Sequence, residues 1–296
     1  MTDKKLCRTG GHGTFETMGT GLILDGRAVV VPGFDVQNFV DDPRLALAPY
    51  DVRPRTFQER NWIHLLVVHT TGGIPGGTDL RPQDIRSGFG PSTNAGERVV
   101  GSWTHDPGRP GGAHLVVDFD GRIYCCADLV TQAAYHAQHA NGPSVGIEVV
   151  QGHDAELYQS QLDLAARFAR VLCGLMPTAI QFQIPLPYDD GPVDRFVISQ
   201  MRSNPLADVV GVVGHRDLTS SRGRGDPGDA LMDALAARGA ERLDFESGED
   251  IATWKNRQAV LGVPSPDGIP GPLTVAAIRR SGRPDGVWQA VPASGS

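Results

Sequence analysis

Leu65–Leu66–Val67–Val68–His69 is the stretch on which the fold turns: four apolar residues in succession, closed by a histidine. A short unbroken apolar run reads as a strand buried on both faces, and its last residue is presented at the strand's C-terminal end. Working outward, two further polar residues stand in similar settings. His215 follows the apolar run 209–213 in the motif GHRD (214–217), and Asp226 lies eleven residues on in DPG (226–228). Two neutral imidazoles and one carboxylate make a three-ligand zinc site with a fourth position free for water, which is the arrangement of a hydrolase.

The neighbouring segments predict the rest of a mixed α/β layer domain over roughly 57–240. Residues 114–126 read as strand–turn–strand with Asp120–Gly121 at the turn, and 145–150 and 209–213 as further buried strands. Between these last two, Leu157, Leu164, Phe168, Val171 and Leu175 recur at helical spacing, so 156–176 is predicted as an amphipathic helix packed on the sheet. The prolines at 177, 185, 187, 192 and 205 predict a long irregular connection. A second helix is expected to start near Pro227 and to run through Leu231 and Leu235 towards Gly239.

The segment 1–56 reads as an N-terminal extension with one hairpin, 21–31, turning at Asp25–Gly26, and otherwise loop. Beyond 240 the texture changes to a small helical module over 241–284, with helices at 251–261 and 273–280, then a polar tail, 285–296.

A chain of 296 residues, 40% apolar and 21% charged, has the composition of an ordinary globular protein. The net charge of −7 argues against nucleic acid or an anionic membrane surface as partner. Cysteines occur at 7, 125, 126 and 173 with no metal-binding spacing, and all four are expected to be reduced; the adjacent pair should point to opposite faces of a strand. No run of 18 apolar residues occurs, so no transmembrane segment is predicted, and 1–14 lacks the apolar region of a secretory signal. Synthesis in the cytoplasm is the expectation; the oligomeric state stays open.

The motifs WIHLLVVHTT (62–71), GAHLVVDFDGRIY (112–124), AYHA (134–137), NGPSVGIE (141–148) and GHRD with DPG (214–217, 226–228) resemble, in order, those of the zinc N-acetylmuramoyl-L-alanine amidases. These type 2 amidases share a fold with the peptidoglycan recognition proteins: a mixed central β-sheet flanked by helices. The resemblance implies Zn²⁺ held by His69, His215 and Asp226, with Glu148 as catalytic carboxylate. It places Arg224 where bacterial members commonly carry an oxyanion-stabilising lysine. Arginine keeps the charge but stays protonated at any working pH. His114, His136 and Asn141 fall among positions lining the substrate cleft, and the two histidines are read either as substrate contacts or as packing groups. The bond cut would join the lactyl group of N-acetylmuramic acid to the L-alanine of the stem peptide.

The remaining histidines carry simpler readings: His64 and His105 as surface or strand-edge residues, His12, His139 and His153 as solvated loop residues. The glycine-rich stretch 71–78 lacks the Gly–Lys–Ser/Thr of a phosphate cradle. DGIPGPLTVAAI (267–278) resembles the core of the three-helix peptidoglycan-binding domain, against the plainer reading of Asp267–Gly268 and Gly271 as turn residues. A tethered hydrolase acting on peptidoglycan, of the phage or prophage endolysin type, is the expectation. A muropeptide-recycling amidase, a non-catalytic peptidoglycan receptor and a peptidase cutting within the stem peptide are the alternatives.

Overall fold

The computed structural model describes residues 20–42, 46–71, 85–103, 111–152, 156–176, 178, 180, 182–184, 210–218, 226–242, 255–256, 258–266 and 277. Arg224, the tail, most of the C-terminal module, and the readings made for His12, His105, His153 and Cys7 lie outside them.

The chain opens with a hairpin, β1 (Leu22–Leu24) and β2 (Arg27–Val29), whose two-residue turn has both φ angles positive, 51° at Asp25 and 72° at Gly26. Such a turn matches the strands' right-handed twist, and an Asp–Gly pair tolerates it. The Asp128 carboxylate pins the hairpin by accepting from the Asp25 and Gly26 amides, at 3.1 and 2.6 Å.

The expectation of loop from this hairpin to residue 56 is not met: β3 (Val36–Asn38) and β4 (Val52–Pro54) are both strands. The short helix α1 (Phe57–Arg60) then starts at a capping box: Thr56 accepts from the Glu59 amide, and the Glu59 carboxylate accepts from the Thr56 amide. The predicted buried strand is β5 (Leu65–Thr70), in which all six residues are buried. His64, expected at the surface, is buried too, its Nδ1 2.6 Å from the Trp62 carbonyl.

After β6 (Ile85–Arg86) and α2 (Ala95–Trp103), the predicted hairpin appears as β7 (Leu115–Val117) and β8 (Ile123–Cys125). The Asp118 carboxylate in its turn accepts from the Gly96 amide at 2.9 Å and the Tyr124 hydroxyl at 3.2 Å, placing negative charge at the N-terminal turn of α2. Next come β9 (Gln132–Ala134), β10 (Ser144–Val149) and β11 (Leu157–Tyr158). The amphipathic helix α3 (Gln159–Leu175) begins three residues later than predicted, because Leu157 and Tyr158 pair with β6. Leu162, Ala165, Phe168, Ala169 and Leu172 form its buried face, while Leu175, counted as apolar face, is exposed.

The proline-punctuated connection contains one described strand, β12 (Gln183–Ile184). β13 (Gly211–Gly214), α4 (His215–Leu218), α5 (Asp229–Ala237) and β14 (Glu241–Arg242), the partner of β12, complete the order. Pro227 is not the first-turn residue of α5: it comes after a cis peptide bond, and Gly228 is the N-cap. In the C-terminal region 255–256 and 258–260 are helical.

Six strands form the central sheet in the order β13-β5-β10-β7-β8-β3. β13, β5, β10 and β7 run parallel, β8 is antiparallel to β7, and β3 pairs parallel with β8 at the edge. The fold is thus mixed α/β, with a strand from the N-terminal segment completing the sheet. Alternation along the strands separates two faces. Leu66, Val68, Leu115, Val117, Val145 and Ile147 pack with the buried residues of α3 and α5. Leu65, Val67 and Val213 cluster on the opposite face with Ala137, Ala140 and Leu218, and Val116 packs there with Val100 of α2 and Tyr124. Cys125 and Cys126 fall in different clusters, as their adjacency predicted, and both are free thiols, as is Cys173. Among the described residues no helix is long and apolar enough to cross a membrane.

The capping box also carries an ion pair, Arg53–Glu59 at 2.5 Å, and hydrogen bonding from Arg53 holds the Glu59 carboxyl down at about 2, below its ordinary 4.5. A depressed folded-state pKa adds stability that is present above the unfolded value and is lost as pH falls. Both partners are partly solvated, so Glu59→Gln is expected to lower stability by under about 1 kcal/mol at pH 7. In urea unfolding the difference from wild type should shrink as pH falls from about 4.5 towards 2.

Candidate metal centre

Parallel register sets out the site. Glu148 of β10 is paired with His69 of β5, and Gly214 of β13 with Val68, so the next residue after β13, His215, is level with His69. Three neighbouring strands therefore deliver His215, His69 and Glu148 in one row at their C-terminal ends. His69 and Glu148 share the face of Leu65, Val67 and Val213, because side chains alternate with period two, and His215, the first residue of α4, brings its ring against that of His69. Such carboxyl ends are where open α/β sheets bind ligands.

Asp226 reaches the row from the chain entering α5. Its Oδ2 lies 2.9 Å from Nδ1 of His215 and its Oδ1 3.4 Å from Nδ1 of His69. Backbone contacts hold it there: the Thr70 amide donates to Oδ1 at 3.3 Å, and the Arg216 amide donates to the Asp226 carbonyl at 2.6 Å. Gly214 makes room for the approach, since a Cβ on it would stand 2.9 Å from Pro227 Cδ. His69 and His215 meet edge to face with ring centroids 4.6 Å apart, and Glu148 Oε1 is 4.0 Å from His69 Nδ1.

The donor set fits a tetrahedral cation. Ligand atoms of His69, His215 and Asp226 lie within 4.8 Å of one another. Two ligands about 2.1 Å from a tetrahedral zinc would stand about 3.4 Å apart, so the cluster needs little adjustment to close on one. Burial opposes ionisation of Asp226, but the facing His69 and His215 outweigh it and hold the carboxyl well below the usual carboxylate range. His69 and His215 are 1% and 2% exposed, and among the described residues Nε2 of His215 has no hydrogen-bond partner.

His114, His136 and Asn141 lie behind this row, each less than a tenth exposed. His114 Nδ1 accepts from the Gly146 amide at 3.0 Å, which leaves its ring proton on Nε2, 3.0 Å from the Gln132 carbonyl. Burial, aided by Arg55, pushes its pKa down to about 3. His136 lies between His69 and Ser144, at 3.0 and 3.1 Å, and burial holds its pKa well below the usual histidine value. Asn141 Oδ1 accepts from the amides of His136 and Ala137, at 3.0 and 2.6 Å. The structure thus brings His69, His215, Asp226 and Glu148 together and sets the other three in the layer that supports them.

Three residues of that layer were not singled out from sequence. Arg55, 2% exposed, donates to the carbonyls of Ser144 and Leu129. Ser144 and Gly146 share the site face of β10 with Glu148, a placement the i, i+2, i+4 spacing in NGPSVGIE signals. Gly146 is required there: a Cβ on it would lie 2.6 Å from Nδ1 of His136.

Two imidazoles and a carboxylate gathered at the carboxyl ends of parallel strands, with a second carboxylate in the same row, define a candidate single-cation site on an α/β scaffold. Residues 59–229 match the family model described as N-acetylmuramoyl-L-alanine amidase, and the chain belongs to that family. Solved structures with a similar fold include N-acetylmuramoyl-L-alanine amidase LysC from Clostridium intestinale, 13% identical over 62% of this chain and 89% of its own, with a TM-score of 0.34. Drosophila PGRP-LB is 17% identical over 70% and 95%, with a TM-score of 0.42. The hydrolase AmiA of Staphylococcus aureus, in complex with its ligand, is 14% identical over 70% and 83%, with a TM-score of 0.38. A comparison with curated proteins found no match.

Gly146→Ala forces a methyl group into the His136 ring. Overpacking of this kind is expected to cost about 1–3 kcal/mol, measured by chemical denaturation.

Proposed function

We propose that this chain is a zinc-dependent peptidoglycan amidase, hydrolysing the bond between the lactyl group of N-acetylmuramic acid and L-alanine. The observation that carries the reading is the single row of His215, His69 and Glu148 with Asp226 across it. His69, His215 and Asp226 would hold the ion. A zinc ion held there would supply Lewis acidity, lowering the pKa of water to about 7 and polarising the scissile carbonyl. Glu148, in the row but outside the three-ligand set, takes the attacking water's proton and returns it to the leaving amine. We assign Arg224 to the developing oxyanion, where a fixed positive charge suffices without proton donation.

Polymeric wall is the proposed substrate, as for an endolysin. The motif at 267–278 supports a wall-binding module over 241–284, and a tether raises local substrate concentration only when the substrate is a polymer. The catalytic domain is proposed to span 57–240, with 1–56 as its N-terminal extension. The acidic net charge of −7 makes nucleic acid a poor partner.

The test combines zinc analysis with mass spectrometry of products from purified sacculi. Wild type is expected to carry one zinc and to release peptides with a free L-alanine amine, and a chelator should stop the release. Glu148→Ala should keep its zinc and lose about 10²- to 10⁴-fold in rate. A metal-free protein that binds sacculi without releasing peptide would make the chain a receptor, and a different new amine would make it a stem-peptide endopeptidase. Comparable rates on soluble muropeptides and on sacculi would remove the endolysin assignment.

A further inference from the structure

Behind His69 runs a hydrogen-bonded chain whose direction is set at its far end. Ser144 Oγ contacts the Ala140 carbonyl, and a carbonyl oxygen only accepts, so the single hydroxyl proton of Ser144 is committed there. Towards Nε2 of His136, 3.1 Å away, the same oxygen can then only accept, and Nε2 must carry a proton. His136 is buried and has no salt bridge to a carboxylate among the described residues, so a second ring proton would be an uncompensated buried charge. Its Nδ1 is therefore a lone pair, 3.0 Å from Nε2 of His69. That contact requires the proton on His69 Nε2; when a cation occupies the site and His69 is neutral, Nδ1, the nitrogen on the Asp226 side, is then the lone pair.

We propose that Ser144 and His136 are positioning residues that fix the tautomer of His69, so that Nδ1 is the nitrogen offered to the metal. The inference rests on the reading of His69 as a ligand. The opposite tautomer would put an N–H bond where the cation must sit.

The surroundings hold the chain in place. Asn141 fixes the backbone that carries His136, and Gly146 leaves room for its ring. Arg55 donates to the Ser144 carbonyl, anchoring the residue that starts the chain. The titratable and charged groups around the His136 ring are His69, His114, His215 and Arg55. Among the described residues no equivalent device serves His215, whose buried Nε2 has no hydrogen-bond partner there. The two imidazole ligands are therefore ordered by different means, and losing the chain should disturb only one of them.

Long-range ¹H–¹⁵N spectra of the full-length protein, labelled at histidine, test this directly and need no variant. With zinc bound, His69 is expected to carry its proton on Nε2 with Nδ1 ligated, and His136 to carry its proton on Nε2 with Nδ1 bare. A His136 proton on Nδ1, with or without zinc, overturns the proposal. Because the Ser144–His136 link does not involve the metal, His136 is also read in the metal-free protein. Wild type that takes up no zinc yet shows Nε2–H on His136 would sink the metal reading while leaving the direction of the chain intact.

Zinc affinity by chelator competition is the second readout. Ser144→Ala and His136→Leu should each weaken binding about 10- to 100-fold, as loss of a hydrogen-bond partner behind a ligating histidine does. His136→Asn, whose Oδ1 can replace Nδ1 as acceptor, should recover part of it. Unchanged affinity in Ser144→Ala, with the His136 tautomer also unchanged, refutes the assignment.

Discussion

The parallel pairing of β13, β5 and β10 is the constraint on which everything at the site depends. Because Glu148 is paired with His69 and His215 follows directly on Gly214, the partner of Val68, their relative positions are set by the hydrogen-bond ladder and not by loops. A slip of one residue in β10 would turn Glu148 to the α3 face and bring Ile147 into the row. The long apolar run 65–68 therefore does more than fill the core. With Leu66 and Val68 on one cluster and Leu65 and Val67 on another, neither face of β5 can be exchanged for the other without exposing a histidine's worth of polarity to the core.

The site combines burial with charge in an uneven way. Asp226 keeps its charge because two imidazoles face it, whereas His114 and His136 are held neutral by the same burial. Neutral imidazoles are what hydrogen-bonded support requires, since each ring then offers one donor and one acceptor. A carboxylate and a pair of lone-pair nitrogens are what a small divalent cation requires. One buried cluster thus meets both needs, with Asp226 as the carboxylate of a group that could hold a cation.

Much of this was legible in the sequence, and the boundary of what was legible has a physical cause. Local signals identified β5, the β7–β8 hairpin, the Asp25–Gly26 turn and the opposite orientation of Cys125 and Cys126, because each depends on near neighbours in the chain. The ordered motifs pointed to His69, His215, Asp226 and Glu148, which lie together at the strand ends. Pairings over long sequence separation were not legible. β3 is three residues long and becomes a strand only because the exposed edge of β8 accepts it. Leu157 fits the helical period of α3, yet pairing with β6 draws it into a strand. His64, His114, His136 and Asn141 have polar side chains that suggest solvent or ligand, and their burial is explained by partners 2 to 67 residues away. Arg55 is the extreme case, a guanidinium whose acceptors lie 74 and 89 residues downstream.

That arginine bears on how the polypeptide can be divided. Motif boundaries suggest cutting near residue 57, yet β3 covers one edge of the sheet and Arg55 satisfies two carbonyls in its interior. A fragment starting at 57 would bare a strand edge open to pairing with other chains and strand two buried acceptors. Modular recombination of this sheet, in nature or in the laboratory, must carry the preceding segment with it.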